Sequence, residues 1–175
     1  MTYIETDRLI LRELSDGDFS ALYDVLADSD IMRHYPYTFD GARVKNWISK
    51  NIERYKVFGF WLWAVALKET GEMIGDCGIT MQNIDGSIRP DIGYHISRKF
   101  QGQGYAKEAA RACRDWAFKN TPFNIIYSYM KKDNVASRAT AAANGMKMIG
   151  EYYDSENEIT AVYSITRGEW KNQQK

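Results

Sequence analysis

The stretch Ile96-Ser97-Arg98-Lys99-Phe100-Gln101-Gly102-Gln103-Gly104-Tyr105-Ala106 decides how this chain is read, because the hydrophobic pattern changes period across it. Before it, Ile88 to Ser97 reads as a strand. After it, Ala106, Ala109, Ala110, Cys113, Trp116 and Ala117 recur at helical spacing as far as about Lys119. Small residues at Gly102, Gly104 and Ala106 let the backbone approach a ligand closely. The first turn of the helix that follows offers unpaired N–H groups at the positive end of its dipole. That combination is a pyrophosphate cradle. No Gly-Lys-Ser/Thr follows, and there is no G-x-G-x-x-G with a ribose-binding acid, so neither of the common nucleotide loops is present. Taken alone, a glycine-rich turn between strand and helix is more often structural than functional.

Working outward, the segments on either side form a consistent order. Leu9 to Leu14 reads as a short strand closed by Ser15-Asp16-Gly17-Asp18. Phe19, Leu22, Tyr23, Leu26 and Ala27 then repeat as a helix, with Asp16 or Asp18 as its N-cap. Beyond Tyr35-Pro36-Tyr37, a second helix is expected from about Asp40 to Tyr55. Phe60 to Leu67, Met73 to Met81 and Ile88 to Ser97 read as a meander, with turns at 68–72 and 83–87. After the Gly104 helix come a strand (Ile125 to Met130), a helix (Val135 to Ala143) ended by Asn144-Gly145 as a left-handed cap, and a last pair of strands (Met146 to Tyr153, Ile159 to Thr166). The order β α α β β β α β α β β predicts one mixed α/β domain over residues 1–175, its mostly antiparallel central sheet flanked by helices.

In this context Gln101-x-x-Gly104-x-Ala106 resembles the Q/R-x-x-G-x-G/A signature of the GNAT acetyltransferase superfamily. The wider resemblance takes in Gly71-Glu72-Met73-Ile74-Gly75, Asp91-Ile92-Gly93-Tyr94-His95-Ile96, Asn134-Val135-Ala136-Ser137-Arg138 and Asn144-Gly145-Met146. It spans Thr6 to Arg167 and is similar to the branch that acetylates N-termini of ribosomal proteins (RimJ/RimL-like) and related small amines. Arg98 departs from it, standing where many members have Pro.

The resemblance implies acetyl transfer from acetyl-CoA to a primary amine by direct attack in a ternary complex. It implies that the strand ending at Ile96 splays from the strand 125–130 and that pantetheine lies in the gap as an added strand would. His95 and Ile96 would supply backbone contacts, Gln101, Gly102, Gln103, Gly104, Tyr105 and Ala106 would hold the pyrophosphate, and Asn134 would bond the pantetheine, unless it is simply a helix N-cap. The chemistry needs a neutral amine, a polarised thioester carbonyl and a protonated leaving thiolate. Asp91 matches the acidic position many members use as base; Glu13 and Glu72 are weaker candidates. Ser137 matches the Ser that contacts the CoA sulfur. His95 is a further candidate base, although one His on a strand is more often structural.

Composition narrows the alternatives. The 23 Lys plus Arg balance the 23 Asp plus Glu, which argues against a protein that coats nucleic acid. The balance hides an asymmetry: residues 1–97 hold 10 basic and 15 acidic side chains, residues 98–175 hold 13 and 8. Residues 98–138, with nine basic and three acidic, suit an anionic cofactor; the acidic first half suits a cationic acceptor. Cys77 and Cys113 form no CxxC and are expected as buried apolar side chains in a reducing cytoplasm, and two His give no metal cluster. No segment reaches the roughly 20 apolar residues of a membrane span. Nine aromatics between Tyr35 and Trp63 are mostly core, but Tyr35-Pro36-Tyr37 lies on a loop that overhangs the acceptor side in such folds. A monomer or homodimer is expected. A non-catalytic acyl-CoA sensor would share the cradle and lack the base, whereas a kinase-like nucleotide binder would need a phosphate-reading Lys that is missing.

Overall fold

The computed structural model describes residues 3–37, 39–155 and 158–174. The expected alternation is realised in one eight-stranded sheet of order β1-β2-β3-β4-β5-β6-β8-β7. Its strands are β1 (Tyr3–Glu5), β2 (Leu9–Arg12), β3 (Leu62–Leu67), β4 (Met73–Ile84), β5 (Ser87–Ile96), β6 (Ile125–Lys131), β7 (Lys147–Asp154) and β8 (Glu158–Thr166). Every neighbouring pair is antiparallel except β5 and β6, which are parallel and share a single register pair, Asp91 with Tyr127. That one parallel junction is where the sheet changes direction and where the site forms.

The helices are α1 (Phe19–Leu26), α2 (Gly41–Phe58), α3 (Tyr105–Asn120), α4 (Val135–Ala143) and α5 (Arg167–Gln173). Asp40 caps α2 by accepting from the Arg43 N–H at 2.8 Å, and Gly145 follows α4 in the left-handed region at φ 77°. Asp16 to Asp18 is a 3-10 turn. Asp18 accepts from the Ser15 N–H and hydroxyl and pairs with Arg12, and does not cap α1.

Strand parity places the helices on two faces. Trp47 of α2 donates its indole N–H to Asp76 of β4, while the next residue, Cys77, meets Cys113 of α3 with the sulfurs 3.6 Å apart. Successive side chains on a strand point to opposite faces, so α2 and α3 lie on opposite sides of the sheet. Both cysteines are buried and free. Trp63, Phe118, Leu22, Ile48, Ile74 and Ile126 are among the largest wholly buried side chains.

Three elements differ from the sequence reading. The turn expected over residues 83–87 is a two-residue Asp85-Gly86 hairpin with φ of 50° and 75°, and Asn83 and Ile84 belong to β4. Strand β1 is too short to leave a periodic signal. The seven-residue α5 was missed although its capping box is legible: Thr166 and Glu169 cap each other's backbone N–H, and Trp170 packs on Phe118.

Candidate active site

At the junction of β5 and α3, Gly102 (φ 75°) and Gly104 (φ 85°) both take left-handed backbone, which L side chains rarely adopt. Gly104 is the N-cap of α3, and the first intrahelical bond runs from the Glu108 N–H to its carbonyl at 3.0 Å. The amides of Tyr105, Ala106 and Lys107 therefore have no helical acceptor. Gln101 folds back and donates to the Ile96 carbonyl at 3.0 Å. Gln103 also turns back, donating to the Lys99 carbonyl at 3.1 Å, and does not line the cavity. Arg8 braces the loop from outside: it donates to the Gln103 carbonyl at 3.1 Å, pairs with Glu108 at 2.6 Å and lies 4.3 Å from the Tyr105 ring centre.

The loop opens into a cavity of about 730 Å³ lined among others by His95, Ile96, Gln101, Gly102, Gly104, Tyr105, Ala106, Asn134 and Ser137. Nine of the eleven residues expected at the site thus share one space; Gln103 and Asp91 do not line it. Asn134 accepts from the Ser137 N–H at 3.1 Å, so its side-chain oxygen is the N-cap of α4. The Tyr94 hydroxyl donates to the Ser137 carbonyl at 3.2 Å and ties β5 to α4. Burial pushes the Tyr94 phenol up to about 12.

The gap between β5 and β6 has a defined chemistry. Ser97 N–H donates to the Ile74 carbonyl, which sets the phase of the β4–β5 ladder. By alternation, Ile92, Tyr94 and Ile96 turn their backbone groups towards β6. Ser128 donating to the Ile92 carbonyl at 3.3 Å, and Gln101 to that of Ile96, agree with this. Tyr94, not His95, therefore joins Ile96 in presenting backbone to the gap, and the His95 backbone faces β4. Asp91 sits inside the sheet at the last pairing: its carboxylate accepts from the Tyr129 N–H at 3.2 Å and from Thr80 at 3.4 Å. Burial pushes that carboxyl up to about 7, against the lowering effect of those two bonds.

The side chain of His95 emerges on the α2 face, the face opposite that of Tyr94. Its Nδ1 lies 2.7 Å from Asp76 Oδ1 and its Nε2 lies 2.8 Å from the Tyr35 hydroxyl. Trp47 holds the other oxygen of Asp76 at 3.1 Å. Asp76 was not singled out from sequence. The available signal was a lone carboxylate in the otherwise apolar run Met73 to Thr80. Nor does the basic run 98–138 act as one patch. Arg98 pairs with Asp28 and Asp30, Lys99 with Glu72, Arg114 with Asp115 and Lys132 with Glu151, while Arg98 and Lys107 from that run line the cavity. Among the described residues no group of three or more His, Cys, Asp or Glu is placed to hold a metal ion, and no helix is long and apolar enough to cross a membrane.

The sheet is thus parted at one parallel junction, with a glycine loop and a bare helix N-terminus beside the gap. The chain belongs to the GNAT acetyltransferase family: the family profile described as an acetyltransferase (GNAT) domain matches residues 8–147. It is an N-acetyltransferase. A Bacillus subtilis protein described as uncharacterized protein YkkB is 37% identical over 146 residues, covering 83% of this chain and 85% of that one. An acetyltransferase from Agrobacterium tumefaciens superposes with a TM-score of 0.81 at 29% identity, covering 94% of each chain. RimL, a ribosomal L7/L12 alpha-N-protein acetyltransferase solved with coenzyme A, superposes at 0.77 over 94% of this chain and 98% of that one; at 20% identity the likeness is one of fold.

Proposed function

We propose that residues 1–175 form a single N-acetyltransferase domain that moves an acetyl group from acetyl-CoA to a primary amine, a protein N-terminus or a small amine, by direct attack in a ternary complex. The observation that carries this reading is the continuity of one cavity from Gly102 and Gly104, through the Tyr94–Ile96 edge, to Ser137 on one side and Tyr35 and His95 on the other. The residues fit acetyl-CoA: side chains at positions 102 and 104 would be strained, the open helix N-terminus suits an anion, and the gap edge offers strand backbone.

In this reading Gly102, Gly104 and the α3 amides hold the pyrophosphate, with Lys107 adding charge at the rim. Tyr94 and Ile96 hold the pantetheine through their backbone. Acetyl-CoA supplies the activated acetyl group as a thioester. Ser137, in the first turn of α4, stabilises the departing sulfur by hydrogen bond and helix dipole. Asp91, expected as the base, is assigned to the strand junction: its buried carboxylate accepts from Thr80 and the Tyr129 amide and does not line the cavity. The two unpaired buried cysteines suit a reducing compartment, in keeping with a cytoplasmic enzyme.

Thiol release from acetyl-CoA, measured with peptides of differing N-terminal residue and with polyamines, tests the reading. Turnover with one of these acceptors is expected. Acetyl-CoA binding without turnover across that panel would favour a non-catalytic sensor.

A further inference from the structure

Five aromatic rings close a circuit on the α2 face. Tyr35 meets Tyr37, Tyr37 meets Phe39, Phe39 meets Trp47, Trp47 meets His95 and His95 meets Tyr35, with ring centres between 5.4 and 6.1 Å apart. Two of its members, Tyr35 and His95, carry a polar line on to Asp76. Asp76, with no exposed surface, accepts from His95 Nδ1, and Tyr35 reaches Nε2. A carboxylate oxygen at Nδ1 is an acceptor, so the ring proton belongs on Nδ1, which leaves Nε2 as an acceptor for the Tyr35 hydroxyl. Tyr35 itself links the two: 41% of its surface is exposed, it lines the cavity, and its hydroxyl lies 2.8 Å from His95 Nε2. A structural histidine needs neither a buried carboxylate oriented by a tryptophan nor a second partner at the mouth of a ligand cavity.

We propose that Asp76, His95 and Tyr35 form a proton relay that deprotonates the acceptor, with Tyr35 as the catalytic group that meets the amine and His95 and Asp76 as the residues that draw the proton inward. The inference rests on the acetyltransferase reading given above. As the acceptor ammonium gives a proton to Tyr35 Oη, the Tyr35 hydroxyl proton passes to His95 Nε2, and Asp76 stabilises the imidazolium. The neutral amine then forms the N–C bond to the thioester carbonyl. The C–S bond breaks with its electron pair on sulfur, the second amine proton goes to that thiolate, and His95 returns its proton to solvent. Burial and the negative charge of Asp76 both raise the Tyr35 pKa, which disfavours a standing phenolate. Among the described residues, the charged and titratable groups around the relay are Asp76 on β4, Asp91 on β5, Tyr129 on β6, Tyr37 on the Tyr35 loop and, over the Tyr37 and Phe39 rings of the circuit, Arg43 of α2; Trp47 of α2 is neutral.

The test uses a peptide with N-terminal alanine and, separately, spermidine as acceptors, comparing wild type with Tyr35→Phe, His95→Gln and Asp76→Asn. Each variant is expected to lower kcat by about 10²-fold at neutral pH, and the loss should shrink as pH rises towards the acceptor's own pKa. The thermal shift given by acetyl-CoA should persist in Tyr35→Phe and His95→Gln. Equal loss at every pH would overturn the relay, as would a Tyr35→Phe variant with the wild-type profile. Imidazole ¹⁵N spectra give a readout independent of turnover: an Nδ1-protonated His95 whose Nε2 signal moves in Tyr35→Phe supports the relay, and an Nε2-protonated ring overturns it. Absence of turnover in wild type would count against the acetyltransferase reading while these spectra still judge the relay.

Discussion

The carboxylate of Asp91 accepts the backbone N–H of Tyr129 at 3.2 Å, so a side chain of β5 takes the place that ladder bonding between β5 and β6 would otherwise fill. The two strands therefore stop pairing after Asp91 and Tyr127, at the point where a ligand backbone is expected to enter.

That contact gives a pH signature. The Asp91 carboxyl lies near 7 in the folded chain against an ordinary value of 3.8, so between those pH values the folded state holds the extra proton and stability falls as pH rises. Integrated over the window, the loss is up to about 4 kcal/mol. Asp91→Asn keeps an acceptor for the Tyr129 N–H and removes the titration. Melting temperatures from pH 4 to 8 should fall for wild type and stay flatter for the variant, which should be the more stable at pH 8.

Gly104→Glu puts a negative side chain at a left-handed position facing the expected phosphates. Saturating acetyl-CoA at about 100 times its Kd adds roughly 2.7 kcal/mol, a rise on the order of 5–10 °C in a domain of this size. Differential scanning fluorimetry should show that rise in wild type and less than about 1 °C in the variant.

Arg8 braces the loop through the Gln103 carbonyl without reaching the cavity. Its pair with Glu108 is half exposed and contributes little to stability, within about 1 kcal/mol. Arg8→Ala should raise the KM for acetyl-CoA by about tenfold, the worth of one hydrogen bond that positions the loop, with kcat nearly unchanged. Steady-state kinetics separate the two.

Asn134 and Ser137 should divide their effects. Asn134→Ala removes the α4 N-cap and should cost about 1 kcal/mol in denaturant unfolding as well as raising the acetyl-CoA KM. Ser137→Ala leaves the cap acceptor in place, so the fold should be unchanged and kcat should fall by about fivefold, the value of one neutral hydrogen bond.

Much of this was legible in the chain itself. The change of period at Gly102 to Gly104 located the turn between β5 and α3, because helical and strand spacing differ sharply across it. The Asp85-Gly86 turn carried more than was read from it. A two-residue hairpin sets the register of both strands, which alone places Asp76 opposite His95 and Thr80 opposite Asp91. What no local pattern contains is the approach of distant segments. Charges in the run 98–138 read as one basic patch until partners up to 70 residues away, such as Asp28 for Arg98, engage them. Tyr35 comes to His95 across 60 positions and Trp47 to Asp76 across 29, because α1 and α2 pack on the face from which those strand side chains emerge. The sequence by itself determined the order of elements apart from β1 and α5, the glycine loop before α3 and the hairpin partners, since each rests on spacing or turn chemistry within a short stretch. Only the tertiary structure decided that Asp91 would end the β5–β6 pairing and that His95 would meet Tyr35 at the cavity with a carboxylate behind it. Those roles depend on burial and on partners that meet only when the chain is folded.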